Sequence, residues 1–189
     1  LPGIIGYPGR LEMLFGFPVD NQGVPGERLT LGYPVRFSNA LRSARADYVF
    51  ILGGSNDANH AIAPAYFRAQ LQKLINIART MGVEPILLTV PPACCDRGGL
   101  TTFTRLYSQE VRFLASVNET LLADIEMGFD QECPNTGSCY LLNRPEGLHP
   151  NTAGYNFIAE VVGDATIGPD EMGIVEEEPT ADEEVEVTP

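Results

Sequence analysis

The sequence predicts an α/β domain in which a parallel sheet is covered by helices on both faces. Short runs rich in Val, Ile and Leu, typical of fully buried strands, occur at 47–53, 85–90 and 120–125. Longer stretches with helical periodicity separate these runs, and the one at 63–81 places five apolar residues on one face. Strands that alternate with helices in this way form parallel sheets with covered faces.

The remaining elements follow in order along the chain. A glycine-rich turn is predicted at 21–28, between a brief strand and a helix. Gly82 directly follows the helix at 63–81 and is typical of a helix C-terminus. The complete prediction is helices at 7–15, 34–44, 63–81, 102–117 and 152–162, strands at 17–20, 47–53, 85–90 and 120–125, and an irregular insertion at 130–145.

Length and charge divide the chain into a body and a tail. The 189 residues are enough for one domain with a substantial core. Residues 169–189 hold nine of the 25 acidic residues and no Lys or Arg, which predicts an acidic linker or tail. Residues 1–168 therefore carry 16 acids against 12 bases, a net charge of −4. This mild charge argues against a nucleic acid or an anionic membrane as partner, and the tail suggests a further C-terminal domain or an assembly partner.

The cysteine pattern bears on the compartment. Cys133 and Cys139 flank a short turn-like segment, so a disulfide between them is plausible, although four cysteines allow three pairings. Bridges would indicate an oxidising compartment and hence a secreted protein. Reduced thiols in a cytosolic enzyme remain the alternative. Neither these two cysteines nor Cys94 and Cys95 have the spacing of a zinc site, and no apolar run approaches the roughly 18 residues of a membrane-spanning helix.

Three loops carry residues suited to ester chemistry. Gly26 lies in the glycine-rich turn, where a free backbone N–H is available to an oxyanion. Asn56 follows the strand at 47–53 directly and offers a side-chain amide donor. Glu146 precedes His149 by three residues, a spacing at which a carboxylate can hold the imidazole Nδ1–H and leave Nε2 as a general base. The combination predicts a catalytic site.

The chain resembles the SGNH/GDSL hydrolases, the lysophospholipase- and acetylesterase-like enzymes, from about Tyr7 to Val162. Asn21–Gly26 is similar to the second block of that family and Gly54–Asp57 to its G-x-N-D block. Glu146–Asn151 resembles the D-G-x-H-P-N block. The resemblance implies a flavodoxin-like three-layer α/β/α sandwich without metal or organic cofactor.

By the same resemblance, Gly26 and Asn56 form the oxyanion hole and His149 is the base. The family's G-D-S block, which carries the nucleophilic serine on the first strand, has no counterpart here. We therefore expect the nucleophile upstream of Leu1, with the missing strand next to the strand at 47–53. Ser55 and the other serines have no base assigned by a motif, so none is taken as the nucleophile.

Glu146 stands where the resemblance implies Asp. Its extra methylene moves the carboxylate by roughly 1.5 Å, and triads with Glu exist on other folds. We expect Glu146 to orient His149. The alternative is a surface glutamate, with His149 oriented by a backbone carbonyl.

The expected function is a serine esterase that acts on small-molecule or polysaccharide esters, with acetylated extracellular carbohydrate favoured over lipid. The alternative is a non-catalytic structural or binding module of a larger extracellular assembly.

Overall fold

A computed structural model describes residues 6–31, 33–134 and 137–167. The tail predicted at 169–189 lies outside these residues. Within the described part, three strands form a parallel sheet in the order β1-β2-β3. The elements are α1 (Tyr7–Phe15), α2 (Tyr33–Ala44), β1 (Tyr48–Ile51), α3 (Ser55–Ala58), α4 (Pro64–Thr80), β2 (Glu84–Leu88), a 3₁₀ segment (Cys95–Leu100), α5 (Thr101–Asn118), β3 (Leu121–Ala123), α6 (Ile125–Glu132) and α7 (Thr152–Ile167).

The sheet separates two hydrophobic cores. Successive side chains of a strand point to opposite faces, and β2 follows this rule. Leu87 packs into one core, whereas Ile86 and Leu88 pack into the other. The predicted parallel α/β sheet is confirmed, and its buried strands carry apolar residues on both faces as such sheets require.

Helices cover both faces and complete three layers. Leu41 of α2, Leu71 of α4 and Leu114 of α5 pack into the core of the first face. Leu11 of α1 and Ile158 of α7 pack into the core of the second face, which α6 also covers. The chain thereby directs the loops after β1, β2 and β3 to one edge of the sheet, where ligands bind in open α/β folds.

The strand predicted at 17–20 is wrong. Pro18 has no N–H to donate, and the Val19 N–H is satisfied by the Glu12 carboxylate at 3.1 Å rather than by a neighbouring strand. Phe17 instead stacks on Phe15 with a ring-centroid distance of 5.1 Å. Within the described residues, β1 therefore pairs only with β2, and its other edge has no strand partner.

The prediction for 120–145 also needs correction. The strand ends at Ala123, because Asp124 caps a helix by accepting the Met127 N–H at 3.2 Å. The first part of the region expected to be irregular is therefore helix α6, which ends at Glu132. A disulfide joins Cys133 to Cys139, as the spacing of these two cysteines suggested.

Candidate active site

Gly26 lies in a tight turn and does not follow a strand. The Glu27 N–H bonds to the Val24 carbonyl at 3.2 Å, and Gly26 has φ 78°, as a type II turn with Pro25 before it requires. The preceding strand expected at 17–20 is absent, and α2 begins only at Tyr33. The Gly26 N–H has no hydrogen-bond partner among the described residues. It is thus a free backbone donor.

Asn56 lies in α3, one turn beyond β1, and contacts the Gly26 turn. Its Nδ2 donates to the Glu27 carbonyl at 3.0 Å. An amide NH₂ has two hydrogens, so one bond fixes the side chain while the other hydrogen can serve a ligand. Glu27 is itself held by a charged pair with Arg36. The structure therefore brings Asn56 and the turn of Gly26 together.

Asp57 holds the segment after Gly26 against the loop that follows β1. Its carboxylate is fully buried. It accepts the Leu29 N–H at 3.0 Å, the Thr30 N–H at 3.1 Å and the Thr30 hydroxyl at 2.5 Å. Buried hydrogen bonds to a charged acceptor are among the stronger ones. Asp57 thus ties the segment after Gly26 to the end of β1.

Glu146 and His149 form the expected contact. Glu146 Oε1 lies 2.5 Å from His149 Nδ1, and Oε2 accepts the His149 backbone N–H at 3.3 Å. The carboxylate therefore holds both the ring and the backbone, and its longer side chain spans the distance. The pair is open to solvent, with His149 69% and Glu146 31% exposed. With Nδ1 occupied, Nε2 is the ring nitrogen left for proton transfer.

The loop after β2 supports this pair. The Cys94 N–H donates to the Gly147 carbonyl at 2.8 Å, and the Arg97 N–H donates to the Glu146 carbonyl at 3.1 Å. Gly147 has φ 74°, and a Cβ there would lie 2.3 Å from the Cys94 carbonyl oxygen. Only glycine permits so close an approach of the two backbones.

Two halves of the candidate site result. The Asn56 half consists of Gly26, Glu27, Asn56 and Asp57, and the His149 half consists of Glu146, Gly147 and His149. No hydrogen bond joins the halves directly within the described residues. Arg97 bridges them indirectly, because its backbone N–H bonds Glu146 and its Nη1 donates to Asn59 Oδ1 at 3.3 Å, just after α3.

Neither of two cavities in the fold is lined by Gly26, Asn56 or His149. One of about 380 Å³ lies at the opposite ends of β1 and β2, beside Tyr48 and Arg79. Another of about 20 Å³ lies under the loop after β2.

A family model for the GDSL-like lipase/acylhydrolase family matches residues 2–157, most of the chain. The chain belongs to this family. Membership supports ester hydrolysis as the reaction class of this GDSL-like protein. No curated protein matches the sequence.

Solved structures share the fold of this GDSL-like protein. The α/β hydrolase LAE5 from the metagenome of Lake Arreo is 23% identical, with a TM-score of 0.75 over 86% of this chain and 82% of that chain. A catalytic mutant of Axe2, an acetylxylan esterase from Geobacillus stearothermophilus, is 19% identical. Its TM-score is 0.73, and the match covers 89% of this chain and 81% of that chain. The acetyl xylan esterase AlAXEase is 20% identical, with a TM-score of 0.72 over 85% of this chain and 90% of that chain.

Sequence reasoning missed two residues that position the GDSL-like site. Asp57 belongs to the G-x-N-D block, but its three buried hydrogen bonds depend on a partner segment 27 residues earlier in the chain. The available signal was an aspartate four residues after the strand predicted at 47–53. Arg97 carries no signal of its own, because its role comes from contacts with Asn59 and Glu146.

A charged network at the end of β3 was also missed. Arg112 contacts Asp124 at 2.7 Å and Glu126 at 2.8 Å, and Glu126 is buried. Burial raises the pKa of Glu126. Burial also opposes ionisation of Asp124, but hydrogen bonds from Arg112 and Met127 outweigh it and lower the Asp124 pKa. The network ties β3, α5 and α6 together beside the loop after β2.

In the described part of the protein, no helix has the length and apolar character needed to cross a bilayer. Among the same residues, no group of three His, Cys, Asp or Glu side chains is arranged to hold a metal ion.

Proposed function

We propose that this protein is a serine esterase that hydrolyses carboxylic esters through an acyl-enzyme. The observation that carries the proposal is the contact of 2.5 Å between Glu146 Oε1 and His149 Nδ1. It fixes one ring nitrogen and leaves Nε2 free to act as general base. Family membership supports the reaction class.

The proposed nucleophile is a serine encoded before Leu1, on a strand that pairs with the free edge of β1. The unpaired edge of β1 within the described residues supports this assignment. Proposed oxyanion donors are the Gly26 N–H and the Asn56 amide, both of which retain a donor hydrogen as described.

The chemical steps follow from these roles. The serine oxygen bonds the ester carbonyl carbon while its proton passes to His149 Nε2. The carbonyl oxygen becomes an oxyanion and accepts hydrogen bonds from Gly26 and Asn56. Collapse breaks the ester bond, and the alcohol leaves with the proton from His149. Water, activated by the same Nε2, then releases the acid and restores the serine.

The proposed substrate is an acetylated carbohydrate, and the enzyme is proposed to be secreted. Two of the similar structures are of acetylxylan esterases, which supports a small acyl group on a sugar. The His149 side chain is exposed, which leaves room for a substrate that is much larger than its acyl group. The Cys133–Cys139 disulfide supports an oxidising compartment.

The test uses the protein expressed from its full gene, with any residues encoded before Leu1. We expect hydrolysis of p-nitrophenyl acetate, labelling of an upstream serine by a fluorophosphonate, and a fall in kcat of about 10³-fold or more in His149→Ala. Activity of His149→Ala within a few fold of the wild type would contradict the assignment. Loss of activity in His60→Ala, with activity kept in His149→Ala, would also contradict it, since His60 is the only other histidine of residues 1–189.

Substrate class is tested on the same preparation. Acetate release from acetylated xylooligosaccharide should exceed release of longer acyl chains from p-nitrophenyl esters. Preference for the longer chains would overturn the carbohydrate proposal while leaving the esterase proposal intact. A protein that folds, carries the upstream serine and hydrolyses none of these esters would support the non-catalytic alternative.

A further inference from the structure

Two adjacent cysteines lie in the loop after β2, beneath the His149 half. Cys94 is buried and Cys95 is half-buried. Their Sγ atoms are 2.7 Å apart. Non-bonded heavy atoms pack at roughly 3.5–4.0 Å, whereas a disulfide has an S–S length of about 2.05 Å. The two sulfur atoms are thus closer than two separate thiols would be.

The backbone holds the pair in an unusual conformation. Cys95 has φ 56°, which is uncommon for a residue other than glycine. Such a conformation persists only where the surroundings enforce it. Bonds on both sides do so, from the Cys94 N–H to the Gly147 carbonyl and from the Asp96 N–H to the Pro145 carbonyl at 3.2 Å.

We propose that Cys94 and Cys95 are a site of covalent modification and form a disulfide between neighbouring residues, in addition to the Cys133–Cys139 bridge. The bond would brace the segment to which Glu146 and Gly147 are hydrogen-bonded. Its formation does not depend on the proposed function. Its effect on catalysis, however, rests on the proposed role of His149.

The redox chemistry requires a two-electron oxidant, and a small-molecule disulfide such as oxidised glutathione supplies it. Burial raises the pKa of Cys94 to about 11. Cys95 is the more exposed of the two cysteines, so it is the one that the small disulfide reaches first.

The steps balance as follows. The Cys95 thiolate bonds one sulfur of the small disulfide, whose S–S bond breaks and releases one thiol. Cys94 then loses its proton to solvent and bonds the Cys95 sulfur, which releases the second thiol. The two cysteines are oxidised and the small disulfide is reduced to two thiols.

The second cysteine pair is close enough to offer a competing pairing. Cys94, Cys133 and Cys139 line the same small cavity, and Cys95 Sγ lies 3.7 Å from the Gly137 carbonyl. Exchange would link the loop after β2 to residues 133–139. The experiment must therefore distinguish a bond within the adjacent pair from a bond between the two pairs.

Trypsin separates these outcomes. Cleavage after Arg79 and Arg97 places Cys94 and Cys95 together on the peptide 80–97, whereas Cys133 and Cys139 lie beyond Arg112. The protein is incubated with oxidised glutathione, denatured without reductant, alkylated with iodoacetamide and digested. We expect peptide 80–97 to carry no alkyl group and to be two hydrogen masses lighter than its reduced form. A doubly alkylated peptide, or one linked to the peptide that contains Cys133, would overturn the proposal.

Variants test the role of the bond in the site. In the double variant Cys133→Ser/Cys139→Ser, peptide 80–97 should still be two hydrogen masses lighter than its reduced form. Reduction of the Cys94–Cys95 bond in this variant should lower kcat for p-nitrophenyl acetate by about two- to tenfold, because small displacements of a catalytic group lower the rate. In Cys95→Ser, the reductant should leave kcat unchanged. If the reductant changed kcat equally in both variants, the bond would not brace the site.

If the protein hydrolyses no ester at all, the peptide masses still decide whether the bond forms. Failure of the proposed function is therefore distinct from failure of this inference.

Discussion

The two halves of the candidate site are held in place by different means. In the Asn56 half, Asp57 is fully buried and binds three donors of the segment after Gly26. In the His149 half, the His149 side chain is exposed and Glu146 is half-buried, and one carboxylate and a few backbone hydrogen bonds fix them. Asp57 thus anchors the Asn56 half in the core, whereas the proposed catalytic side chain of the His149 half lies at the surface.

This difference has a consequence for mutations. Oxyanion donors must lie within a few tenths of an ångström of the developing charge, and a buried anchor provides such rigidity. An exposed base depends little on the core. We therefore expect substitutions of Asn56 and Asp57 to lower stability, and substitutions of Glu146 and His149 to change rate alone.

The largest effect is expected for Asp57→Ala. Removal of the carboxylate leaves buried donors of Leu29 and Thr30 without a partner, and each costs about 1–3 kcal/mol. We expect the free energy of unfolding, measured in urea, to fall by about 3 kcal/mol or more. Asp164→Ala, at an exposed position of α7, is the matched control and should stay within about 0.5 kcal/mol. If the free energy of unfolding fell equally in the two variants, Asp57 would not be a buried anchor of the Asn56 half.

Asn56→Ala should have the next largest effect. Loss of one oxyanion donor is expected to lower kcat for p-nitrophenyl acetate by about 10²–10³-fold. Loss of the bond to the Glu27 carbonyl should also lower the free energy of unfolding by about 1 kcal/mol. Asn39→Ala, on the exposed side of α2, is the control for both measurements. A change in stability without a change in kcat would leave Asn56 a structural residue only.

Glu146→Gln should have the smallest effect. The amide keeps the shape of the side chain but loses the charge that stabilises the imidazolium form of His149. Because both side chains are partly exposed, solvent screens the interaction, and we expect kcat to fall by only about tenfold. Thermal unfolding should not change, and Glu160→Gln on α7 is the matched control. A loss of stability comparable to that of Asp57→Ala would show that the two halves are not held differently.

The sequence predicted the layers of the fold better than the limits of its elements. Buried strands at 47–53, 85–90 and 120–125 were visible because a strand covered on both faces reads as a continuous apolar run. The absence of a strand at 17–20 could not be read from the sequence, because it depends on the hydrogen bond from the Val19 N–H to the Glu12 carboxylate. The stop at Ala123 depends on the cap provided by Asp124, which the apolar run through Ile125 conceals.

The candidate site shows the same limit. Glu146 and His149 are three residues apart, so their contact could be expected from spacing alone. Asp57 and Arg97 act on residues far away in the chain, and only the fold brings these residues to them. Cys94 and Cys95 are neighbours in the sequence, but the closeness of their sulfur atoms reflects a backbone conformation that depends on Gly147.

Each strand of the sheet pairs with the next strand in the chain, from β1 to β2 and from β2 to β3. The centre of the fold can therefore assemble from neighbouring segments, without waiting for distant parts of the chain. The turn of Gly26 precedes this central stretch, and the loop of His149 follows it. Pairing of the three strands therefore involves neither loop, and each loop can take its place after the sheet has formed.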